Sequence, residues 1–309
     1  GKNVITSTEA LNVESLPKSL AIIGGGVIGM EIGSTYAKFG VEVTVLEALP
    51  HIVPSIDTDV REVLLHTSEK IMTIETGAMV KEIQDADNQK KVVYETQGER
   101  RECCAEKVMV CVGRCPNTKK LGLETAGIQV NKRGYIQVNS HYETTAPGVY
   151  AIGDVNGQVL LAHAASAQGI YVADRISGKQ TGINTKLIPS CIYTKPEIAC
   201  VGKTEDELKK ENIPYNVGKF PLSGNGKALS MGEQEGFVKI LTGKNYGEIL
   251  GAHIVGARAT DLIGELVLAI NAECTAEEII HTVHPHPTVS EAIFEAAELS
   301  FNGQTVHII

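Results

Sequence analysis

The run Gly24-Gly25-Gly26-Val27-Ile28-Gly29 restricts the fold of this chain more than any other feature. Leu20-Ala21-Ile22-Ile23, short and wholly apolar, precedes it and suits a buried parallel strand. Residues 27–39 have the small and apolar spacing of a helix packed close on a sheet, and residues 41–47 read as a second strand. Strand, glycine turn, helix and strand in this order predict a βαβ opening. Gly24 permits the tight turn, Gly26 lets a pyrophosphate approach the backbone, and Gly29 lets helix and strand touch. The helix start supplies N–H groups and a partial positive charge to phosphates, so Gly24 to Glu31, with Gly25, Val27, Ile28 and Met30 between, are candidate cofactor contacts. Glu47 closes the second strand eighteen residues after Gly29. It would accept a hydrogen bond from a ribose hydroxyl and repel a 2′-phosphate, which favours NAD over NADP. The competing reading is a glycine-rich turn that binds nothing; the strand, helix and acid around it weigh against that.

The chain has 309 residues, 43% of them hydrophobic, which is enough for two or three domains with real cores. A formal charge of −9 argues against nucleic acid or an anionic membrane surface as partner. No apolar run reaches the length of a membrane span, no signal-like segment opens the chain, and the absence of an initiator methionine suggests a fragment or a trimmed chain. The seven cysteines, at 103, 104, 111, 115, 191, 200 and 274, include no C-x-x-C pair. They read as reduced structural thiols of a cytoplasmic protein, with no metal site.

Residues 1–17 read as an extended lead-in, and residues 57–70 as an amphipathic helix. Strand-like runs follow near 79–85, 90–96 and 107–112. Beyond Gly113 the texture turns to loops, then a strand-like Val149-Tyr150-Ala151-Ile152 ending in Gly153-Asp154, then an alanine-rich helix over 160–177. The last 120 or so residues alternate strands near 191–201, 215–221, 236–242 and 248–255 with helices headed by capping boxes, Thr204 with Glu207 and Thr275 with Glu278.

In the tail His284-Pro285-His286-Pro287-Thr288-Val289-Ser290-Glu291, an imidazole stands five residues ahead of a carboxylate. A histidine held by a carboxylate keeps one tautomer and suits general acid–base work. Thr288 and Glu291 also read as a capping box, and one carboxylate can serve both purposes.

The order of these blocks resembles the pyridine nucleotide–disulfide oxidoreductases, most closely the branch that oxidises dihydrolipoamide. The match runs through Gly24–Glu31, Glu47, Cys111-Val112-Gly113-Arg114 with Pro116-Asn117-Thr118, Thr145–Asp154, Leu160-Leu161-Ala162-His163 and His284–Glu291, nearly the whole chain. The resemblance implies an α/β fold: a Rossmann-like NAD-binding domain over 1–114, the C-terminal part of an FAD-binding domain over 115–187, and an α+β dimerisation domain over 188–309. By the same resemblance Gly113 and Asp154 contact FAD, with Asp154 on its ribityl chain, and Leu160, Leu161, Ala162 and His163 lie along the flavin. Glu31 falls near the flavin–nicotinamide contact. His286 is the implied acid–base, Glu291 its orienting partner, and His284 structural. A homodimer is implied, because the tail histidine of this family works in the partner subunit. The implied substrate is the lipoyl group of a 2-oxo acid dehydrogenase complex, with electrons passing through FAD to NAD. The family's redox pair, C-x-x-x-x-C, has no counterpart here, since no two cysteines stand five positions apart. Sulfur exchange cannot be carried by an imidazole, so a catalytically incomplete NAD-binding and dimerisation fragment stands as the alternative. A reductase of glutathione or a metal ion is disfavoured by Glu47 and by the absence of cysteine in Ser300–Ile309.

Overall fold

The computed structural model describes residues 3–306. The chain divides into two compact units, one made of the segments up to Val112 and from Cys191 onward, the other of Gly113–Ser190.

The first segment contains β1 (Val4–Ile5), α1 (Ser7–Ala10), β2 (Ser19–Ile23), α2 (Val27–Lys38), β3 (Glu42–Leu46), α3 (Thr58–Ser68) and β4 (Thr73–Glu75). β5 (Met79–Ala86), β6 (Gln89–Thr96), β7 (Glu99–Ala105) and β8 (Lys107–Val110) follow. A five-stranded sheet runs β1-β8-β2-β3-β4, its neighbouring strands all parallel, with Leu20 opposite Val43 and Ile22 opposite Val45. Leu20, Ala21 and Ile22 are buried, as a strand covered on both faces requires. The parallel crossover needs a helix, and α2 supplies it, burying Met30, Gly33 and Tyr36. β5, β6 and β7 form a separate antiparallel meander.

Two local expectations change. The lead-in is not simply extended: Ile5 pairs with Met109, and Thr6 and Glu9 make a reciprocal capping box that opens α1. β7 was absent from the sequence reading because Glu99-Arg100-Arg101-Glu102 shows no apolar alternation. It forms through backbone pairing with β6, which places Cys103 opposite Val92.

The second unit is mostly irregular. It has 3-10 turns at Leu123–Ala126 and Gly153–Asn156 and one long helix, α4 (Ala162–Ile176). Val149–Ile152 does not become a strand. It makes a single bridge between Glu143 and Tyr150, flanked by Thr144 N–H to Val149 O and Ala151 N–H to Tyr142 O. The Pro147-Gly148 turn precedes it and Gly153 reverses the chain directly after, so only one rung fits.

The last segment holds β9 (Ser190–Ile192), β10 (Glu197–Gly202), α5 (Glu205–Glu211), β11 (Tyr215–Pro221), α6 (Gly226–Met231), β12 (Phe237–Gly243) and β13 (Ile249–Gly256). α7 (Ala259–Asn271), α8 (Ala276–Ile280) and α9 (Glu291–Phe301) complete it. The sheet order is β11-β12-β13-β10-β9, with α9 against β11 and β12 and α7 against β10 and β13. Both expected capping boxes form, at Thr204 and Thr275. α7 went unread in the sequence because its start carries no capping side chain: Arg258 sits at φ 61° and Glu197, from β10, accepts from Thr260 N–H and Oγ1 instead. Ile192, Ile198, Phe237 and Val255 share one apolar core with Met30, Tyr36 and Ile56, so this sheet and the βαβ segment are packed together. Among the described residues no helix is long and apolar enough to cross a membrane.

Candidate functional site

The glycine turn is built as a close contact between three chain segments. Gly24 has φ 110°, and a Cβ there would lie 2.8 Å from the Cys111 carbonyl. Gly29 presses harder still, since its Cβ would stand 2.0 Å from the Gly24 carbonyl. A side chain at either position would push α2 off β2 and β8. Gly26 is the N-cap of α2, no side chain caps that end, and a Cβ there would meet nothing within 4 Å. The first-turn N–H groups of α2 are therefore open to an anion, and the cradle fits the pyrophosphate of a dinucleotide. Cys111 Sγ points at the Gly24 and Ile23 carbonyls, at 3.2 and 3.4 Å. Burial, with a smaller contribution from Glu47, pushes this thiol up to about 11, which keeps it inert.

Glu47 is 8% exposed and its carboxylate is turned onto the backbone. Oε2 accepts from Gly25 N–H at 2.6 Å and Oε1 from Leu49 N–H at 2.7 Å. These bonds brace the turn. A carboxylate has about four acceptor sites, so capacity remains for a ribose hydroxyl. Glu31 lies one turn inside α2, and its Oε1 accepts from Tyr193 N–H at 2.8 Å. This tie between α2 and the segment after β9 was not visible in the sequence, because it joins a side chain to a backbone group 162 positions away.

Gly113, Asp154 and residues 160–163 belong to the second unit. Asp154 is exposed at the 3-10 turn, with Arg114 Nη2 at 3.7 Å from its Oδ2. The turn is held by a residue the sequence reading passed over. Gln168, 1% exposed on α4, accepts through Oε1 from Gly153 N–H at 2.8 Å and from Asn156 Nδ2 at 2.9 Å. Leu161 is the N-cap of α4 and no side chain caps that end, while His163 Nε2 donates to the Pro189 carbonyl at 2.8 Å. A cavity of about 260 Å³, lined by Arg114, Cys115, Tyr135, Asp154 and Leu160 among others, opens beside the turn. It lies just below the usual ~300–1,000 Å³ of small-molecule pockets. Its carboxylate and guanidinium suit a polyol and a phosphate, so these residues fit part of a flavin dinucleotide.

In the tail, His286 Nδ1 and Glu291 Oε1 are 2.9 Å apart, and Glu291 Oε2 accepts from Thr288 N–H at 2.8 Å. The expected capping box does not form: α9 begins at Glu291 with Ser290 as its N-cap, and no side chain caps that end. The Thr288 hydroxyl turns instead to the Pro285 carbonyl and the Ser290 hydroxyl. Asn225 fixes the segment from the other side, donating through Nδ2 to the Thr288 carbonyl at 3.0 Å. With Nδ1 committed to the carboxylate, Nε2 is the nitrogen left for proton exchange, on a side chain 73% exposed. His284 is held differently: its ring joins Glu265 Oε1 at 2.9 Å and the Thr282 carbonyl, and its side chain is 7% exposed. All seven cysteines are free thiols, and among the described residues no group of three or more potential ligands could hold a metal ion.

A parallel βαβ core with an open glycine cradle, joined to an antiparallel α+β sheet that carries a histidine–carboxylate pair, defines a dinucleotide-binding α/β protein. Residues 1–169 match the pyridine nucleotide-disulphide oxidoreductase family and residues 188–297 match its dimerisation domain. The chain belongs to the pyridine nucleotide-disulphide oxidoreductase family. It is 40% identical over 310 residues to the dihydrolipoyl dehydrogenase of Bacillus subtilis (strain 168), covering 100% of this chain and 66% of that protein. It is 42% identical over 313 residues to that of Thermus scotoductus, covering 100% and 68%. Among solved structures it resembles LpdA from Mycobacterium tuberculosis, with TM-score 0.88, 29% identity, and 95% of this chain and 64% of that one covered. It also resembles the HOCl-induced flavoprotein disulfide reductase RclA from Escherichia coli, with TM-score 0.89, 27% identity, and 96% and 68% covered. The chain spans about two thirds of the length of the curated relatives it matches.

Proposed function

We propose that this chain is the NAD-binding and dimerising portion of a cytoplasmic dihydrolipoyl dehydrogenase that oxidises the lipoyl dithiol of a 2-oxo acid dehydrogenase complex. The observation that carries the reading is the His286–Glu291 pair on a braced tail, in a chain that also holds an open dinucleotide cradle. The domains are assigned as 1–114 for NAD, 115–187 for the C-terminal part of the FAD domain, and 188–309 for the dimer interface; the dimerisation-domain match over 188–297 supports the last of these. Gly24–Glu31 hold the NAD pyrophosphate and Glu47 its adenosine ribose. Gly113, Asp154 and Leu160–His163 hold part of FAD, with Asp154 accepting from ribityl hydroxyls. FAD, when bound, supplies the electron relay between the thiol substrate and the nicotinamide. Glu291 keeps the proton of His286 on Nδ1, so that Nε2 takes a proton from the substrate thiol and returns it. In a homodimer each tail serves the partner's site.

A second reading is favoured by one observation: no two cysteines in this sequence stand five apart, so these residues carry no redox pair of the family's spacing. On that reading the chain binds NAD and dimerises without turnover. The visible spectrum and lipoamide–NAD activity of the purified chain decide between them. A flavin band with turnover supports the enzyme; a colourless, inactive dimer that binds NADH supports the module. In the chain extended to the length of its relatives, His286→Gln should abolish most turnover while the dimer sediments unchanged. Turnover at the wild-type rate in that variant would remove His286 from the mechanism.

A further inference from the structure

We propose that a cavity at the far end of α2 from the glycine turn is a binding site for a small phosphate monoester, held by Lys38, Lys195 and Arg258. None of these residues belongs to the glycine turn, so the site stands whether or not that turn holds NAD.

The cavity has a volume of about 640 Å³, within the ~300–1,000 Å³ common for small-molecule sites. Four segments of one compact unit wall it: the end of α2, the link between β9 and β10, the link between α6 and β12, and the link between β13 and α7. Lys38 lies twelve residues beyond Gly26, which at 1.5 Å of rise per residue is ~18 Å from the cap. A ligand here does not compete for the dinucleotide cradle.

Three carboxylates line the cavity, and each is already answered. Glu233 pairs with Lys195 at 2.9 Å, and Glu235 with Lys70 at 2.5 Å. Glu197 accepts from Thr260 N–H at 3.2 Å and from its Oγ1 at 2.7 Å, where it stands in for a cap on α7. Two cations on the same wall are not so answered. Among the described residues Lys38 makes no ion pair. Arg258 reaches only Asp261, at 3.7 Å, and both side chains are exposed.

The ammonium of Lys38 titrates below the usual lysine range, owing first to partial burial and next to repulsion from Lys195, against the opposing pull of Glu233. Like charges are thus held near each other with water partly excluded, and an anion between them relieves both costs. Lys38 also complements the carbonyl end of α2, which accounts for a lysine in that turn without any ligand. It does not account for Arg258. That residue holds φ 61° directly before α7, a left-handed position that disfavours a side chain. Glycine would sit there without strain, yet the chain places a guanidinium on the cavity wall.

A phosphate monoester carries a charge of about −1.5 to −2 at neutral pH and three strong acceptor oxygens. That matches two uncommitted cations, one a forked guanidinium and the other an ammonium, with donors of Lys195 still to spare. Pro196, Met231 and Ala257 on the same wall offer apolar contact to the carbon body of the ligand.

Calorimetric titration of the 309-residue chain with glucose 6-phosphate and with glucose tests this, in wild type, Lys38→Met and Arg258→Gly. Lys210→Met, at an exposed lysine of α5 outside the cavity wall, is the control for general charge. Wild type should bind the phosphate and not glucose. Lys38→Met and Arg258→Gly should each weaken the phosphate by about tenfold or more, with Lys210→Met within about twofold of wild type. Glycine suits the backbone at 258, so the urea midpoint of Arg258→Gly should not fall, and lost binding there is not lost fold. Phosphate binding that survives both cavity variants lies elsewhere, such as the start of α2, and overturns the proposal. A wild type that binds glucose as tightly as its phosphate, or binds neither, overturns it too. An equal loss in Lys210→Met would mean diffuse charge attraction alone, with the same consequence.

Discussion

Lys239 and His286 are both bases paired with carboxylates at hydrogen-bond distance, in the same compact unit, and the two assemblies do opposite things. Lys239 on β12 is 0% exposed and reaches Asp57 at 3.0 Å, Asp59 at 3.1 Å and Glu205 at 2.6 Å. Asp57 also accepts from Asp59 N–H through Oδ1 and from Glu205 N–H through Oδ2, so one carboxylate caps the starts of both α3 and α5. Burial on its own would raise Glu205 and lower Lys239, but the bonds among them prevail. Those from Lys209, Lys239 and Tyr215 bring Glu205 down to about 2, and the carboxylates carry Lys239 above its ordinary value. Neither group exchanges its proton near neutral pH. His286 has the same kind of partner, with its side chain 73% exposed. Its ring can meet a substrate and pass a proton on. Burial rather than pairing separates an ion that joins two segments from one whose ring is open to a substrate, as the proposed acid–base role of His286 requires.

The largest effect to look for is on the exposed side of this comparison. In the extended protein, His286→Gln should cut thiol turnover by about 10²–10⁴-fold, the usual contribution of a positioned acid–base. Its urea midpoint should stay within the ~0.5 kcal/mol scatter of surface substitutions. A large stability loss would show that the tail histidine also holds the fold. On the buried side, Lys239→Met leaves three carboxylates without their shared cation. Breaking a buried pair in this way costs about 3–5 kcal/mol, read from urea unfolding of this chain. A variant as stable as wild type would show that the cluster does not join the two segments.

Glu205 gives the comparison a pH axis. Its folded value, about 2, lies below its ordinary 4.5, so between these pH values the unfolded chain binds a proton that the folded chain does not. The stability it contributes is present above pH 4.5 and is lost as pH falls toward about 2. Glu205→Gln should narrow the difference in unfolding free energy between pH 3 and pH 6. An unchanged difference would place the acid limb on other carboxylates.

The exposed assembly was legible in the sequence and the buried one was not, for a physical reason. His286 and Glu291 are five residues apart, and the glycine turn, its helix and Glu47 lie within one βαβ unit, so spacing alone carries them. Lys239 sits between Val238 and Ile240 in a strand buried throughout, and its three partners come from residues 57, 59 and 205. Nothing local signals that convergence. The same holds for Tyr193 on Glu31 and for Gln168 under the Gly153 turn. β7 and α7 were hidden for related reasons, one by its charges and the other by a start capped from a different strand. Val149–Ile152 erred the other way: its apolar run is strand-like, but pairing needs a second strand, and the chain offers it one rung.

The smallest expected effect comes from the case that lies between the two assemblies. His284 is two residues from His286 and also pairs with a carboxylate, yet its side chain is 7% exposed. The Glu265 bond raises it above its ordinary value, against the opposing effect of burial. Its sign is opposite to that of Glu205. The folded chain holds this proton more tightly than the unfolded one, so the stability is fully present below pH 6.5 and is lost as pH rises through the raised value. Glu265→Gln should flatten the decline in unfolding free energy between pH 6 and pH 9 while leaving thiol turnover in the extended protein close to wild type. If that variant instead loses turnover as His286→Gln does, His284 is part of the acid–base machinery, and burial no longer divides the two roles.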